Sequence, residues 1–197
     1  MDCFLGIDLG TSSVKVVALD AAGKVVAAAS RCYETTRPEP GYAEQSPELW
    51  WSATAACISD VLKTATEAKV RGIGLSGQMH GLICLDSKGH PCRDAIIWPD
   101  IRSSSICREW RERGFEKDFR FTTGLPIATG SLAPSLEWVK RNEPATYATI
   151  SRVMLPKDYI RFRLTGSVVT DPSDAAGSYI FDIGRREWSR EILDALG

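Results

Sequence analysis

The sequence predicts an α/β fold built on a mixed sheet, and three observations predict it. The first thirty residues hold three short β-branched runs parted by turn residues; Trp50, Ala53, Cys57, Ile58 and Val61 recur at helical spacing; and an apolar run returns over Val70 to Leu75. Phe4 to Ile7 and Val14 to Leu19 flank Gly10-Thr11-Ser12-Ser13, the composition of a tight hairpin. Asp20-Ala21-Ala22-Gly23 makes the next turn before Val25 to Ser30, which gives a three-stranded antiparallel meander. Ser46-Pro47-Glu48 then offers a capping hydroxyl, a proline at the first helical position and a first-turn carboxylate, so a helix is expected to start there and run to about Leu62. A helix between the meander and the Val70 strand makes a crossover, which sets that strand parallel to the first.

Beyond residue 90 the texture becomes polar and helical. Helices are expected near Ser103 to Arg113, Ala133 to Arg141 and Pro156 to Leu164, the last stopped by Thr165-Gly166, with a final helix from Ser189. Short strands are expected at Val168 to Thr170 and Tyr179 to Asp182. The organisation expected is one domain, with a core over 1–90 and a largely helical insertion over about 91–197.

Composition narrows the partners. The chain has 197 residues, 44% of them hydrophobic, enough for a proper core. Its 24 basic and 25 acidic residues are well mixed, so no long-range field calls for nucleic acid or an anionic membrane, and a small ligand fits better. Six dispersed cysteines form no C-x-x-C pair and are expected to be reduced core thiols. No signal peptide or membrane span is read at the amino terminus, and a cytoplasmic protein is expected.

The densest chemistry lies in Gly6-Ile7-Asp8-Leu9-Gly10-Thr11-Ser12-Ser13-Val14-Lys15. Two readings compete on local grounds. In one, the segment is only a hairpin, with Gly10 at a positive φ and Thr11 and Ser12 satisfying their own backbone. In the other, Gly10 lets backbone amides approach an anion, Thr11 and Ser12 add hydroxyl donors, Lys15 adds charge, and Asp8 holds Mg²⁺ through water. Neither a Walker A loop nor a Gly-x-Gly-x-x-Gly fingerprint is present. Ser76-Gly77-Gln78-Met79-His80-Gly81 follows the Val70 strand, where open α/β sheets bind ligands, and it offers an amide, a thioether and an imidazole. By itself the loop also fits an ordinary turn with a surface histidine.

Taken together these segments resemble known ones. The opening resembles the phosphate-binding hairpin of the actin-like ATPase (ribonuclease H-like) superfamily. Gln78-Met79-His80 resembles the sugar-binding loop of the FGGY carbohydrate kinases, in the form the xylulose-specific members carry. Gly41-Tyr42-Ala43-Glu44-Gln45-Ser46-Pro47 with Trp50-Trp51, Ile97-Trp98-Pro99-Asp100-Ile101-Arg102, Leu155-Pro156-Lys157-Asp158-Tyr159 and Ser173-Asp174-Ala175-Ala176-Gly177 are similar to the same family in order and spacing.

The resemblance implies ATP-dependent phosphorylation of D-xylulose, with ATP and Mg²⁺ as cofactors. It implies a catalytic, metal-holding Asp8, phosphate contacts from Gly10, Thr11, Ser12 and Lys15, and sugar contacts from Gln78, Met79 and His80. Trp98 and Asp100 are added to the pocket, although Asp100 and Arg102 also fit a surface pair. Lys157, Asp158, Trp50 and Trp51 are read as structural. The family's base is an aspartate in a Gly-rich Gly-Asp-Asn or Gly-Asp-Gln segment, and Asp171, Asp174 and Asp182 lack that setting. The last core strand and the nucleotide domain are therefore expected to be missing, the chain to be inactive alone, and its sheet edge to favour a homodimer. The alternatives are a sibling kinase for another ketose or polyol, and a non-catalytic actin-like module.

Overall fold

The computed structural model describes residues 1–196. In chain order its elements are β1 (Asp2–Leu9), β2 (Ser13–Asp20), β3 (Val25–Cys32), β4 (Glu44–Gln45), α1 (Pro47–Thr64), β5 (Lys69–Gly77), β6 (Ile83–Leu85), β7 (Ala95–Ile96), α2 (Ser104–Glu112), α3 (Phe115–Thr123), α4 (Leu132–Asn142), α5 (Pro144–Tyr147), β8 (Arg152–Met154), α6 (Pro156–Thr165), α7 (Pro172–Ala176), β9 (Phe181–Asp182), β10 (Glu187–Trp188) and α8 (Arg190–Leu196).

The main sheet has the order β3-β2-β1-β5, with β1 and β2 antiparallel, β2 and β3 antiparallel, and β1 and β5 parallel. The meander and crossover follow from the sequence pattern. Alternation along β1 and β2 buries Leu5, Ile7, Leu9, Val14, Val16 and Ala18 on one face. α1 covers that face through Trp50, Ala53, Cys57 and Val61, and α6 packs beside it against α1 and β5. The opposite face leaves Phe4 and Asp8 exposed, and β5 forms an exposed edge.

Several expectations are corrected. Ser46 occupies the N-cap of α1, but its side chain makes no capping bond; its carbonyl accepts from Leu49 and Trp50 instead. Val168 to Thr170 is not a strand, because its carbonyls have no ladder partner: Ser167 and Val169 accept from the Arg161 guanidinium. The strand expected over Tyr179 to Asp182 shrinks to β9, two residues paired with β10. α3 and α7 had no counterpart in the pattern analysis.

The core also ignores a boundary at residue 90. Ile83, Leu85, Ala95, Ile97, Met154, Tyr159 and Ile160 share one apolar cluster with the sheet and α1. A second cluster, around Ile106, Trp110, Phe119 and Tyr179, belongs to the helical part. Cys3, Cys57, Cys84 and Cys107 are buried free thiols, whereas Cys32 is free and exposed at the end of β3. No helix among the described residues is long and apolar enough to cross a membrane.

Candidate active site

Parallel pairing of β1 and β5 sets Asp8 opposite Ser76 and Leu9 opposite Gly77. The β1–β2 turn and the 78–81 loop therefore leave the sheet side by side, at the carboxyl ends of adjacent strands. The Gln78 amide donates to the Leu9 carbonyl at 2.7 Å.

Gln45, 2% exposed, joins the two segments. Its Nε2 donates to the Thr11 carbonyl at 2.7 Å and to Thr35 Oγ1 at 2.9 Å, while its Oε1 accepts from Trp50 Nε1 at 3.0 Å and from Gln78 Nε2 at 3.1 Å. One buried amide thus uses both ends. Gln78 Oε1 stays buried without a partner among the described residues.

The turn itself is wired by its carbonyls. Gly10 O accepts from the Tyr33 hydroxyl at 2.5 Å, Thr11 O from Gln45, and Ser12 O from the Tyr33 amide at 3.0 Å. In a trans peptide the N–H points opposite the carbonyl that precedes it, so these bonds turn the Thr11 and Ser12 amides away from the protein. Outward amides beside two hydroxyls present a set of donors of the kind that can face an anion. Gly10 differs from its expected part: its φ is not positive, and its own N–H closes the turn on Ser13 O at 2.9 Å. Its missing side chain matters instead, because a Cβ would sit 3.1 Å from that same oxygen.

Asp8 is exposed at the end of β1 and pairs across the ladder with exposed Lys15. A lone carboxylate next to these donors fits Mg²⁺, which takes one or two carboxylates and keeps its waters and substrate phosphates. The one carboxylate cluster with metal-ligand spacing among the described residues lies elsewhere, at Asp158, Asp171 and Asp174. The Lys157 ammonium already fills it, at 2.9, 2.7 and 3.2 Å from the three. Burial works against that ammonium, but its bonds to Asp171 and Asp158 outweigh burial and hold its pKa up.

Met79 is 61% exposed and His80 adopts φ 58°, an unusual conformation for a residue with a Cβ. His80 Nδ1 lies 3.1 Å from the Gly177 carbonyl and 3.5 Å from Ser131 Oγ. A carbonyl only accepts, so Nδ1 carries the hydrogen, and in the neutral ring Nε2 remains an acceptor. Met79 and His80 line a cleft of about 360 Å³ with Thr123, Gly124, Asp174 and Gly177. Burial pushes the Asp174 carboxyl above its ordinary range, against the pull of Lys157. A larger cavity of about 630 Å³ lies between Leu132, Val168, Val169 and Trp188, with Thr170, Ser178 and Arg186 also on its wall, but neither Met79 nor His80 lines it.

Trp98 is half-exposed, and its Nε1 donates to Thr11 Oγ1 at 2.9 Å, so the indole stands against the turn. Asp100 is 1% exposed. Its carboxylate accepts from the Ala43 amide at 2.6 Å, the Arg102 amide at 2.8 Å and the Arg102 guanidinium, so the structure commits it to holding the 97–102 loop. The Asp100–Arg102 pair is buried rather than at the surface, and Arg102 stacks on Tyr42 at 3.9 Å. Trp50 is fully buried core, as the sequence suggested, yet it also anchors Gln45.

The structure therefore brings Asp8, Gly10, Thr11, Ser12, Lys15, Gln78, Met79, His80 and Trp98 around one end of the sheet. Sequence analysis gave no part to Gln45, Thr123, Gly124, Ser131 or Gly177. Gln45 and Gly177 sat inside noticed motifs without a role, and the others come from distant segments with no local signal.

Comparison with known proteins places this arrangement. Residues 3–197 match the model of the FGGY family of carbohydrate kinases, N-terminal domain. The chain is 40% identical to a xylulose kinase of Staphylococcus xylosus over 98% of its own length and 40% of that protein's. Among solved structures it is similar to a gluconate kinase from Lactobacillus acidophilus, with TM-score 0.94 and 34% identity over 99% of this chain and 39% of that one. It is also similar to a ligand-bound xylulose kinase from the same organism, with TM-score 0.91 and 32% identity over all of this chain and 40% of that one. The chain thus spans about 40% of the length of the curated relatives it matches. With a matching family model, close relatives and the same actin-like ATPase fold, the chain belongs to the FGGY family of carbohydrate kinases.

Proposed function

We propose that this chain supplies the sugar site and the phosphate and Mg²⁺ site of a kinase that moves the γ-phosphoryl group of ATP to the terminal hydroxyl of D-xylulose. The observation that carries this reading is the Gln45 bridge. It ties an anion-ready turn to the loop bearing Met79 and His80, so a polyol hydroxyl and a phosphate would meet at one sheet end. Phosphoryl transfer asks mainly for positioning and charge neutralisation. Thr11, Ser12 and Lys15 would face the phosphates, Asp8 would hold the Mg²⁺ that neutralises them, and Gln78, Met79, His80 and Trp98 would shape the sugar side. Asp100 would position the Trp98 loop from beneath. The sequence contains no Gly-Asp-Asn or Gly-Asp-Gln segment, so these residues by themselves would bind sugar without transferring phosphate.

Calorimetric titration of the protein with D-xylulose, with His80→Ala in parallel, tests the sugar site. Loss of a hydrogen-bonding imidazole is expected to weaken binding about tenfold or more; equal affinity in both proteins would remove His80 from the pocket. The likeness to a gluconate kinase favours a second reading, in which the sugar is a different polyol or acid. Titration with D-gluconate and other pentuloses separates the two.

A further inference from the structure

We infer that Gly130 is a positioning residue for the cleft, holding the 78–81 loop and the Trp98 arm in register; this rests on the reading of that cleft as the sugar site. Gly130 lies in the turn that leads into α4, at φ +73°. Its carbonyl accepts from the Gly81 amide at 3.0 Å, which fixes the end of the loop that carries Met79 and His80. The next residue, Ser131, is buried, and its Oγ lies 3.5 Å from His80 Nδ1.

On its other side Gly130 meets the backbone of Trp98. A Cβ there would fall inside contact distance of the Trp98 carbonyl oxygen, 2.7 Å from its carbonyl carbon and 3.0 Å from its Cα. These are main-chain atoms, which cannot rotate away as the tip of a side chain can. Any larger residue must therefore push the Trp98 segment outward. Trp98 in turn bonds Thr11 through its indole, so the push would reach the phosphate turn as well. One glycine thus sits where the 78–81 loop and the Trp98 segment meet.

The structure supplies its own control. Gly166 has the same φ of +73°, but a Cβ on it meets nothing within 4 Å. Gly166→Ala pays the left-handed backbone cost alone, whereas Gly130→Ala pays that cost and displaces Trp98. Misplacement by about 1 Å can cost on the order of a hundredfold in a positioned site.

The experiment compares the two variants by three measurements: D-xylulose affinity by calorimetry, thermal stability, and the Trp98 emission, isolated by difference against Trp98→Phe. Gly130→Ala is expected to bind about tenfold or more weakly and to shift the Trp98 emission. Gly166→Ala is expected to do neither, and to show a smaller thermal loss that comes from the shared φ alone. Equal affinity and unchanged Trp98 emission in the two variants would overturn the inference. If the unaltered protein takes up no D-xylulose, the sugar reading fails, while the Trp98 emission still decides the positioning role. Gly130→Asn carries the same Cβ on a residue that accepts a left-handed φ more readily, and serves where alanine does not fold. Failure of both Gly130 variants to fold, with Gly166→Ala intact, would assign Gly130 to stability and overturn the positioning role.

Discussion

Gln45 shows how much of a site can depend on one uncharged residue. Replacing it by alanine would orphan the Trp50 and Gln78 donors and the Thr11 acceptor together. Each buried group left unsatisfied costs about 1–3 kcal/mol, so Gln45→Ala is expected to lose about 3 kcal/mol or more in chemical denaturation. A loss below about 1 kcal/mol would show that the bridge is dispensable. The chain order shows its motif but not this part, because its four partners lie at positions 11, 35, 50 and 78. By contrast, Asp8, Thr11, Ser12 and Lys15 are legible from sequence, since a short turn between two strands fixes their relation locally.

At the scale of elements, α1 and α6 are fastened by Glu48, Tyr159 and Arg163. Tyr159 donates to Glu48 Oε1 at 2.8 Å, and Arg163 bonds both at 2.6 Å. The Arg163 guanidinium, then the Tyr159 hydroxyl, hold the Glu48 carboxyl below its ordinary 4.5 despite partial burial. The stabilisation from Glu48 is therefore complete above that value and is lost as pH falls through the folded pKa. Burial first, then the bond to Glu48, pushes the Tyr159 phenol from 10.0 to about 12. Its contribution is complete below 10 and is lost as pH rises toward 12. Glu48→Gln is expected to flatten the acid limb of melting temperature against pH and to lessen the alkaline fall. Unchanged limbs would dismiss this clasp as a pH-dependent contributor. The helices α1, α2, α4 and α6 could be read from capping residues and apolar spacing. α3 and α7 could not, since one begins after Gly114 and the other is a single turn whose Asp171 side chain caps Ser173 and Asp174.

For the whole molecule, the open strand β5 is the most consequential feature. Val70 and Ile73 are exposed on it, and Phe4 is exposed beside it on β1. An unpaired edge with apolar side chains invites pairing with another chain. We expect concentration-dependent self-association in sedimentation, suppressed by Ile73→Lys; a monomer at high concentration in both proteins would reject this.

Sequence alone determined the meander, the crossover that makes β5 parallel, and the composition of the β1–β2 turn and the 78–81 loop. These depend on residues close in the chain, where periodicity and turn chemistry act directly. Only the tertiary structure decided that Asp100 is committed to Arg102, that Lys157 occupies the acidic cluster, that Gln45 joins the β1–β2 turn to the 78–81 loop, and that Gly130 lies between that loop and Trp98. Those outcomes rest on contacts between segments tens of residues apart, and a hydrogen bond or a missing Cβ has meaning only once its distant partner is in place.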